Sequence, residues 1–515
     1  MMPSENPREH AVVIEPRDEH NQLLVARTHP PAWKNPSAKP VYNMVAIGGG
    51  TAGIIAALGA AGLGAASALV EKHLLGGDCL NFGCVPSKAL LASAQAAYDA
   101  RHTAHLGVNL QGEVQVDFAA VMQRLRARRA AISEHDSAER FTKLGVDVHL
   151  GGAKFTSPET IEVGGQTLRF RRACIATGGR AAIPEIAGLR DVGYLTNETV
   201  FSLTELPQRL LVVGGGPIGC ELAQAFARLG SRVTIVQRPD RLLPHDEPDA
   251  SAIVAQQFAN ESIAVYTACE VARTSQQHGV IEVELKFAGG QAAGPQKIVV
   301  DKILIAAGRQ PNVADLGLEV AGVKYTSRGI EVNDFLQTSN PKIYASGDVI
   351  GRQLFTHAAD AMSRAVLQNA FFFGSKRLSQ LVIPRCTYTD PEIASIGLTA
   401  SQLSEKNIPF TSYREEITRN DRAAIEGDTQ GFALVHCAKG TGKVLGATIV
   451  ARNAGDMIGE LSLLVTQKLP LGTLASVVHC YPTQIEMLKR LGDQFNKTRL
   501  TPSVAWLLKS ILRWR

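Results

Sequence analysis

The chain has 515 residues, 45% hydrophobic and 20% charged, the balance of a globular protein rather than a disordered one. Its formal charge of +5 is too small for this length to mark a nucleic-acid partner, and its 8 cysteines are too sparse for a disulfide scaffold. Its 47 glycines, about 9% against a usual ~7%, point to several places where the backbone turns tightly or approaches closely.

Residues 1–42 are rich in Pro, Arg, His and Asn, hold no cysteine, and form an N-terminal extension expected to wrap the surface or remain partly mobile. The start carries Glu5, Arg8, Glu9, Glu15, Arg17, Asp18 and Glu19 with no apolar segment, so no secretory signal is read. A reducing, cytoplasmic location is expected, where paired cysteines tend to be catalytic or metal-binding.

Val41 to Val70 holds no charged residue and is long enough to pass for a membrane-spanning helix. Its glycines argue for another structure. Met44-Val45-Ala46-Ile47 reads as a buried strand, and Gly48, Gly50 and Gly53 form GxGxxG directly after it. An Ala-rich helix follows, then a second strand at Ala68-Leu69-Val70, ending at Glu71. That acid lies 23 positions past Gly48 (71 − 48). The spacing is close to the ~20 of a carboxylate that hydrogen-bonds a ribose hydroxyl in a dinucleotide site.

Next comes Gly76-Gly77-Asp78-Cys79-Leu80-Asn81-Phe82-Gly83-Cys84-Val85-Pro86-Ser87-Lys88. A single helical segment here would set the thiols at i and i+5, near enough for a disulfide with modest distortion. A helix N-terminus lowers a thiol pKa, so one sulfur can persist as thiolate. The pair reads as a redox disulfide; the alternatives are a zinc half-site or two structural thiols. No CxxC or HxxxH accompanies the pair to complete a zinc site, and no resident metal site is read.

The strand–loop–helix unit then recurs. Leu210-Leu211-Val212-Val213 leads into Gly214, Gly216 and Gly219, a helix to Leu229-Gly230, and a strand at Val233-Thr234-Ile235-Val236. Gln237 stands at the ribose position, with Arg238 beside it and Arg241 nearby. A guanidinium there suits a 2′-phosphate, so NADPH is favoured over NADH, the alternative being that Arg238 is a solvated surface charge. One such loop is weak evidence; two, each in strand–turn–helix context, suggest a flavin as well as a nicotinamide.

From about Tyr42 to Asn496 the chain resembles the flavin-dependent pyridine nucleotide–disulfide oxidoreductases, the family of glutathione reductase, lipoamide dehydrogenase and mercuric reductase. The stretch from Gly76 to Lys88 carries the resemblance most specifically. Further motifs stand in order at Ala176-Thr177-Gly178-Gly179, Ala306-Ala307-Gly308-Arg309, Ile343–Asp348 and Thr389–Gly397. The resemblance implies an α/β fold with two Rossmann-like domains, for FAD and NAD(P), and a C-terminal α+β dimerisation domain. The expected division is an extension at 1–42, a first FAD part at 43–190, an NAD(P) domain at 191–309, a second FAD part at 310–378, a dimerisation domain at 379–499 and a basic amphipathic tail at 500–515. A homodimer with an active site shared between subunits is expected.

The resemblance also implies roles. Cofactor contacts fall to Gly48, Gly50, Thr51, Ala52, Gly53, Glu71, Lys72, Gly77, Asp78, Thr177 and Gly178. They continue through Gly214, Gly216, Ile218, Gly219, Gln237, Arg238, Gly308, Arg309, Gly347 and Asp348. Cys84 would be the flavin-proximal thiolate and Cys79 the outer sulfur that meets substrate. Lys88 and Glu221 match a family ion pair near the flavin, a plain structural salt bridge being the alternative. Thr356-His357-Ala358 would start a helix aimed at the flavin, through backbone amides, with His357 read as packing.

Small-disulfide reductases of this family carry His-Pro-Thr-x-x-Glu near the C-terminus, the His passing protons to the leaving thiol. Here the segment is His479-Cys480-Tyr481-Pro482-Thr483-Gln484-Ile485-Glu486. Glu486 keeps its place, but Tyr481 stands where the His belongs, and a phenol with pKa about 10 is a poor base at neutral pH. His479 is a weaker candidate for the missing base. The tyrosine resembles mercuric reductase, whose substrate suits soft thiolates. Two departures oppose that reading: no cysteine follows Cys480, and no metal-binding Cys pair precedes Tyr42. A third is Pro217, in a loop where a tyrosine often covers the flavin. Cys480 reads as a buried small hydrophobe, or else a substitute ligand from the partner subunit. Cys174, Cys220, Cys269, Cys386 and Cys437 sit in apolar patterns and read as structural.

The expected activity is transfer of electrons from NADPH through FAD to Cys79–Cys84, and on to thiol-bound Hg(II) or a disulfide. A disulfide reductase for an unidentified thiol and an NAD(P)H oxidase or quinone reductase are the alternatives. In the tail, Val504, Leu507, Leu508, Ile511 and Leu512 follow helical spacing with Lys509, Arg513 and Arg515 among them and Trp506 and Trp514 as anchors. Covering a groove of its own dimer is favoured over contact with a membrane surface.

Overall fold

A computed structural model describes residues 12–290 and 294–514. The early charges Glu5, Arg8 and Glu9, and Arg515 at the other end, lie outside the described residues. The apolar stretch after Val41 is not one long helix. It forms β1 (Met44–Ile47), α2 (Thr51–Gly62) and β2 (Ser67–Glu71), with α1 (Glu19–Thr28) before them. β1 is buried at every residue, as expected of a parallel strand covered on both faces. Among the described residues no helix is long and apolar enough to cross a membrane.

After β2 come α3 (Gly77–Asn81), α4 (Cys84–Arg101), α5 (Phe118–Ile132), β3 (Val146–Leu150) and β4 (Ala173–Ile175). The second unit is β5 (Arg209–Val213), α6 (Pro217–Leu229), β6 (Arg232–Val236), β7 (Ala264–Tyr266) and β8 (Lys302–Ile305). β9 (Ile343–Ala345) and α7 (Thr356–Phe371) then return the chain to the first unit. The two parallel sheets are ordered β9–β4–β1–β2–β3 and β7–β6–β5–β8. In each, the strand before the glycine loop pairs in register with the strand after the helix, Met44 with Ser67 and Arg209 with Arg232. The order reverses beside these loops, the place where open α/β sheets take ligands.

A five-stranded antiparallel sheet follows, from β10 (Arg385–Thr387), β11 (Glu392–Gly397), β12 (Phe410–Glu416), β13 (Phe432–Ala438) and β14 (Val444–Ala451), ordered β10–β11–β14–β13–β12. α8 (Ala454–Gln467) and α9 (Met487–Thr498) pack on it through Met457, Leu461, Leu464, Met487, Leu488 and Leu491. α10 (Pro502–Leu512) comes last and buries no residue.

The described part of the N-terminal extension wraps the first unit rather than hanging free. Trp33 donates to the carbonyl of Val148 (3.1 Å), and Asp18 pairs with Arg126. Buried Arg129 donates to Asn21 (2.6 Å) and to the carbonyl of Asn81 (2.7 Å), so the extension bears on the end of α3.

The cysteine segment differs from expectation. Cys79 and Cys84 do not share one helix. Cys79 lies in α3, the chain turns at Phe82–Gly83, and Cys84 opens α4. The cause is local: Asn81 is buried and donates to the carbonyls of Leu75 (3.1 Å) and Gly77 (2.8 Å), closing the short helix on itself. The break moves Cys84 from mid-helix to a helix N-terminus.

Candidate active site

One cavity of about 2160 Å³ is lined by both glycine loops, both thiols of the pair, Lys88, Glu221, Arg309, Asp348 and Thr356. Sites for single small ligands are roughly 300–1,000 Å³, so this space suits more than one large ligand. The loops fit dinucleotides in detail. Gly48 has φ +109°, and a Cβ there would lie 2.3 Å from the carbonyl oxygen of Ala176. A Cβ on Gly50 would meet nothing closer than 3.6 Å, and one on Gly216 nothing within 4 Å, so these positions leave the backbone open to approach. Neither α2 nor α6 has a side-chain cap at its start, which leaves the N–H groups of their first turns free for a pyrophosphate, save at Pro217, which opens α6 and has none. Gly53 and Gly219 lie behind the loops, pressed against the carbonyls of Gly48 and Gly214.

The residue at the end of each second strand does the same local work. A carboxylate oxygen of Glu71 accepts from the N–H of Gly49 (2.5 Å), and the amide oxygen of Gln237 accepts from the N–H of Gly215 (2.7 Å). Burial raises the pKa of Glu71, and the N–H groups of Gly49 and His73 oppose that rise. Arg238 extends into the cavity and faces Glu270 at 3.5 Å. Lys286, which sequence reasoning passed over, stands on the other side of that carboxylate, also at 3.5 Å.

Arg309 binds across the two units. Its guanidinium reaches Asp78 (3.1 Å) and Asp348 (3.2 Å), although its motif closes the second nucleotide segment. Burial pushes the Asp348 carboxyl up, and Arg309 opposes this. Thr177 and Asn312 exchange hydrogen bonds of 2.7 and 2.9 Å. Gly77, Gly178, Gly308, Gly347, Thr51, Ala52, Lys72 and Ile218 all line the cavity. Ala358 does not: it is wholly buried, and Ala359 takes the lining place. His357 does more than pack, because its Nε2 bonds the carbonyl of Pro384 (2.6 Å) and ties the start of α7 to the segment before β10.

The two thiols are electrostatically unequal. Cys84 is held low, at about 6, first by a hydrogen bond from Cys79 and then by Thr356 and the ammonium of Lys88, against the cost of burial and the nearby Asp78. The helix start contributes in the same direction. Thr356 Oγ1 lies 3.3 Å from Cys84 Sγ, a contact that joins residues 272 positions apart and has no sequence signal. The same hydrogen bond to Cys84, together with burial, pushes the Cys79 thiol far up. The reduced pair therefore holds one proton, on Cys79, and one negative charge, on Cys84.

One helical turn beyond Cys84, the ammonium of Lys88 lies 2.6 Å from a carboxylate oxygen of Glu221, which is 5% exposed. The other oxygen of Glu221 accepts from the N–H of Tyr388 (3.0 Å), and Lys88 sits over the Tyr388 ring at 4.3 Å. Tyr388 was not foreseen; it lies just before the Thr389–Gly397 motif, and only the docking of the antiparallel sheet brings it here. Cys386 corrects an expectation. It is half-buried, packing against the core of the antiparallel sheet and also lining the cavity, with its thiol pushed up by burial.

The C-terminal segment lies elsewhere in the chain. His479, Cys480, Tyr481 and Glu486 do not line the cavity of their own subunit. The hydroxyl of Tyr481 donates to Asp421 (2.8 Å), which raises the phenol pKa further. His479 turns inward onto Glu460 (3.1 Å), with its other ring nitrogen buried. Cys480 is exposed, contrary to the reading of a buried hydrophobe. Among the described residues no group of His, Cys, Asp and Glu has the makings of a metal site.

Comparison with known proteins adds the following. The family described as pyridine nucleotide-disulphide oxidoreductase matches residues 42–365, and its dimerisation domain matches residues 383–491. A mercuric reductase of Streptomyces lividans is 36% identical over 465 residues, 88% of this chain and 96% of that protein. A dihydrolipoyl dehydrogenase of Mycoplasma pneumoniae is 32% identical over 467 residues, 88% of this chain and 99% of the other. Among solved structures, the HOCl-induced flavoprotein disulfide reductase RclA from Escherichia coli superposes with a TM-score of 0.78 at 26% identity, over 88% of this chain and 99% of its own.

Proposed function

The chain belongs to the pyridine nucleotide-disulphide oxidoreductase family, whose members use FAD and NAD(P)H, and from that premise we propose that it passes electrons from NADPH through FAD to Cys79–Cys84 and on to thiol-bound Hg(II). The observation that carries the choice of substrate is Tyr481. Reducing a disulfide requires a proton for the first leaving thiolate, and the segment that would supply it from the partner subunit holds a phenol anchored on Asp421. Reduction of a thiol-bound soft ion needs thiolates to take the metal and an electron pair to reduce it. The balanced reaction is NADPH + H⁺ + Hg(SR)₂ → NADP⁺ + Hg⁰ + 2 RSH.

The chain's own residues divide the work. The loop at Gly48–Gly53, with Glu71, Arg309 and Asp348 around it, would hold FAD; the loop at Gly214–Gly219, with Arg238, would hold NADPH. The flavin, when bound, supplies the hydride acceptor and relays the electron pair to the disulfide. Lys88, fixed by Glu221, would set a positive charge beside the reduced ring. Cys84 keeps the negative charge of the reduced pair, and Cys79, once its proton leaves, takes the metal from its thiol carriers. Residues 479–486 of one subunit would complete the site of the other in a homodimer.

A disulfide reductase remains the second reading, favoured by the dihydrolipoyl dehydrogenase relatives. The buried ring of His479, engaged with Glu460, speaks against its serving as the substitute base. The deciding assay follows NADPH oxidation with Hg(II) plus excess thiol, oxidised glutathione, lipoamide, a quinone and oxygen in parallel. Turnover is expected with Hg(II) above either disulfide; turnover of a disulfide with none of Hg(II) overturns the proposal.

Nucleotide choice has its own test. Arg238 is 80% exposed along its side chain and would exchange its loose pairing with Glu270 (3.5 Å) for a 2′-phosphate. A charge-assisted contact is worth about 1.5–3 kcal/mol, so Arg238→Ala should raise the KM for NADPH roughly tenfold or more and leave that for NADH unchanged. Equal effects on both nucleotides would show that Arg238 does not read the phosphate.

A further inference from the structure

We propose that α10 docks this enzyme on an anionic membrane surface. The helix is amphipathic. At about 100° per residue, Val504, Leu507, Leu508, Ile511 and Leu512 fill one half of its circumference, and Trp514 follows just past its end. Lys509 and Arg513, four residues apart, stand together on the other half, with Trp506 beside them. Every residue of the apolar half is at least 40% exposed in its own subunit. Leu507 is 52% exposed, Leu512 70% and Trp514 92%, and no residue of the helix is buried.

Local signals alone hold the helix: Thr501 caps it, accepting from the N–H of Val504, and Pro502 occupies its first turn. An eleven-residue helix is marginal in water without a surface to lie on. Charge selects that surface. Lys497, Arg499, Lys509, Arg513 and Arg515 are all cationic, and no Asp or Glu follows Asp493. Such a tail complements anionic lipid headgroups, while its Trp and Leu side chains suit the boundary beneath them. The dimer groove expected from sequence is the weaker occupant, because the match to the family's dimerisation domain ends at Leu491, before the helix begins.

The test is co-sedimentation of the full-length holoenzyme with vesicles of phosphatidylcholine alone or mixed with phosphatidylglycerol. Sedimentation velocity without lipid is run beside it. Binding to the mixed vesicles should exceed binding to the neutral ones by roughly tenfold or more and weaken with salt, since each basic residue adds about 1 kcal/mol at such a surface. L507E/I511E should abolish binding, and K509E/R513E should remove the preference for the anionic lipid. Both variants should stay dimeric with NADPH oxidation unchanged. Absence of vesicle binding by the parent, or binding that L507E/I511E leaves intact, overturns the proposal. Dissociation of L507E/I511E into monomers also overturns it, and identifies a second copy as the cover of this face.

Discussion

Cys79→Ala should abolish turnover of thiol-bound Hg(II) and of disulfides alike, by a factor of about 10³ or more, since it removes the sulfur that meets substrate. Reduction of a quinone by NADPH should persist, because electrons can leave the flavin without passing the pair. Cys84→Ala should show the same division. Survival of Hg(II) reduction in Cys79→Ala would sink the thiol relay. The pH dependence follows from the unequal thiols. Cys84 sits at about 6. Above that pH it is thiolate and carries the charge of the reduced pair; below it, protonation removes the charge that this pair must hold beside the flavin, and turnover falls. Thr356→Val withdraws a hydrogen bond from Cys84 Sγ, so the acid limb should move to higher pH while bound flavin stays constant. An acid limb that does not move would show that Thr356 does not tune the sulfur.

Gly53→Ala should strip the protein of flavin, and Gly219→Ala should leave the flavin in place while impairing NADPH. A Cβ on Gly53 would fall 1.7 Å from the carbonyl oxygen of Gly48, and one on Gly219 would fall 2.0 Å from that of Gly214. Neither carbonyl can yield, because each belongs to the loop that must pass close to a pyrophosphate. The helix must then retreat from its strand, at a cost of about 1–3 kcal/mol or more, equivalent to roughly tenfold to a hundredfold in affinity. The readouts are flavin absorbance of the purified protein for Gly53→Ala and the KM for NADPH for Gly219→Ala. Full flavin content in Gly53→Ala, with an unchanged melting temperature, would refute the argument. Flavin loss in Gly219→Ala would show that the two loops do not act separately.

The parts of the site that were legible in the sequence are contiguous. The loops, Glu71, Gln237 and the cysteine pair each lie within a single strand–turn–helix unit, where short-range sterics restrict the residue types. From the resemblance, Lys88 and Glu221 are only an ion pair near the flavin; the bearing of Lys88 on the thiolate one helical turn away comes from the structure. The errors arose where a local pattern admitted two outcomes. The cysteine segment reads as one helix until buried Asn81 closes α3 early. Cys386 alternates with polar Arg385 and Thr387 as a core-facing strand residue would, and it does pack on the core, yet its strand also edges the cavity.

By itself the sequence determined the two nucleotide units, the position of the redox pair and the departure at Tyr481, because backbone turns and side-chain chemistry at fixed spacing are local properties. The resemblance named Cys84 as the thiolate, but only the tertiary structure supplied the physical reason that it holds the charge. That asymmetry depends on Thr356, which meets Cys84 through the packing of α7, as well as on the helix break that sets Cys84 at the start of α4. It decided likewise that Tyr388 secures Glu221 and that α10 buries no residue in its own subunit. These are contacts across hundreds of positions, or their absence, and long-range packing leaves no periodicity in a single chain to read.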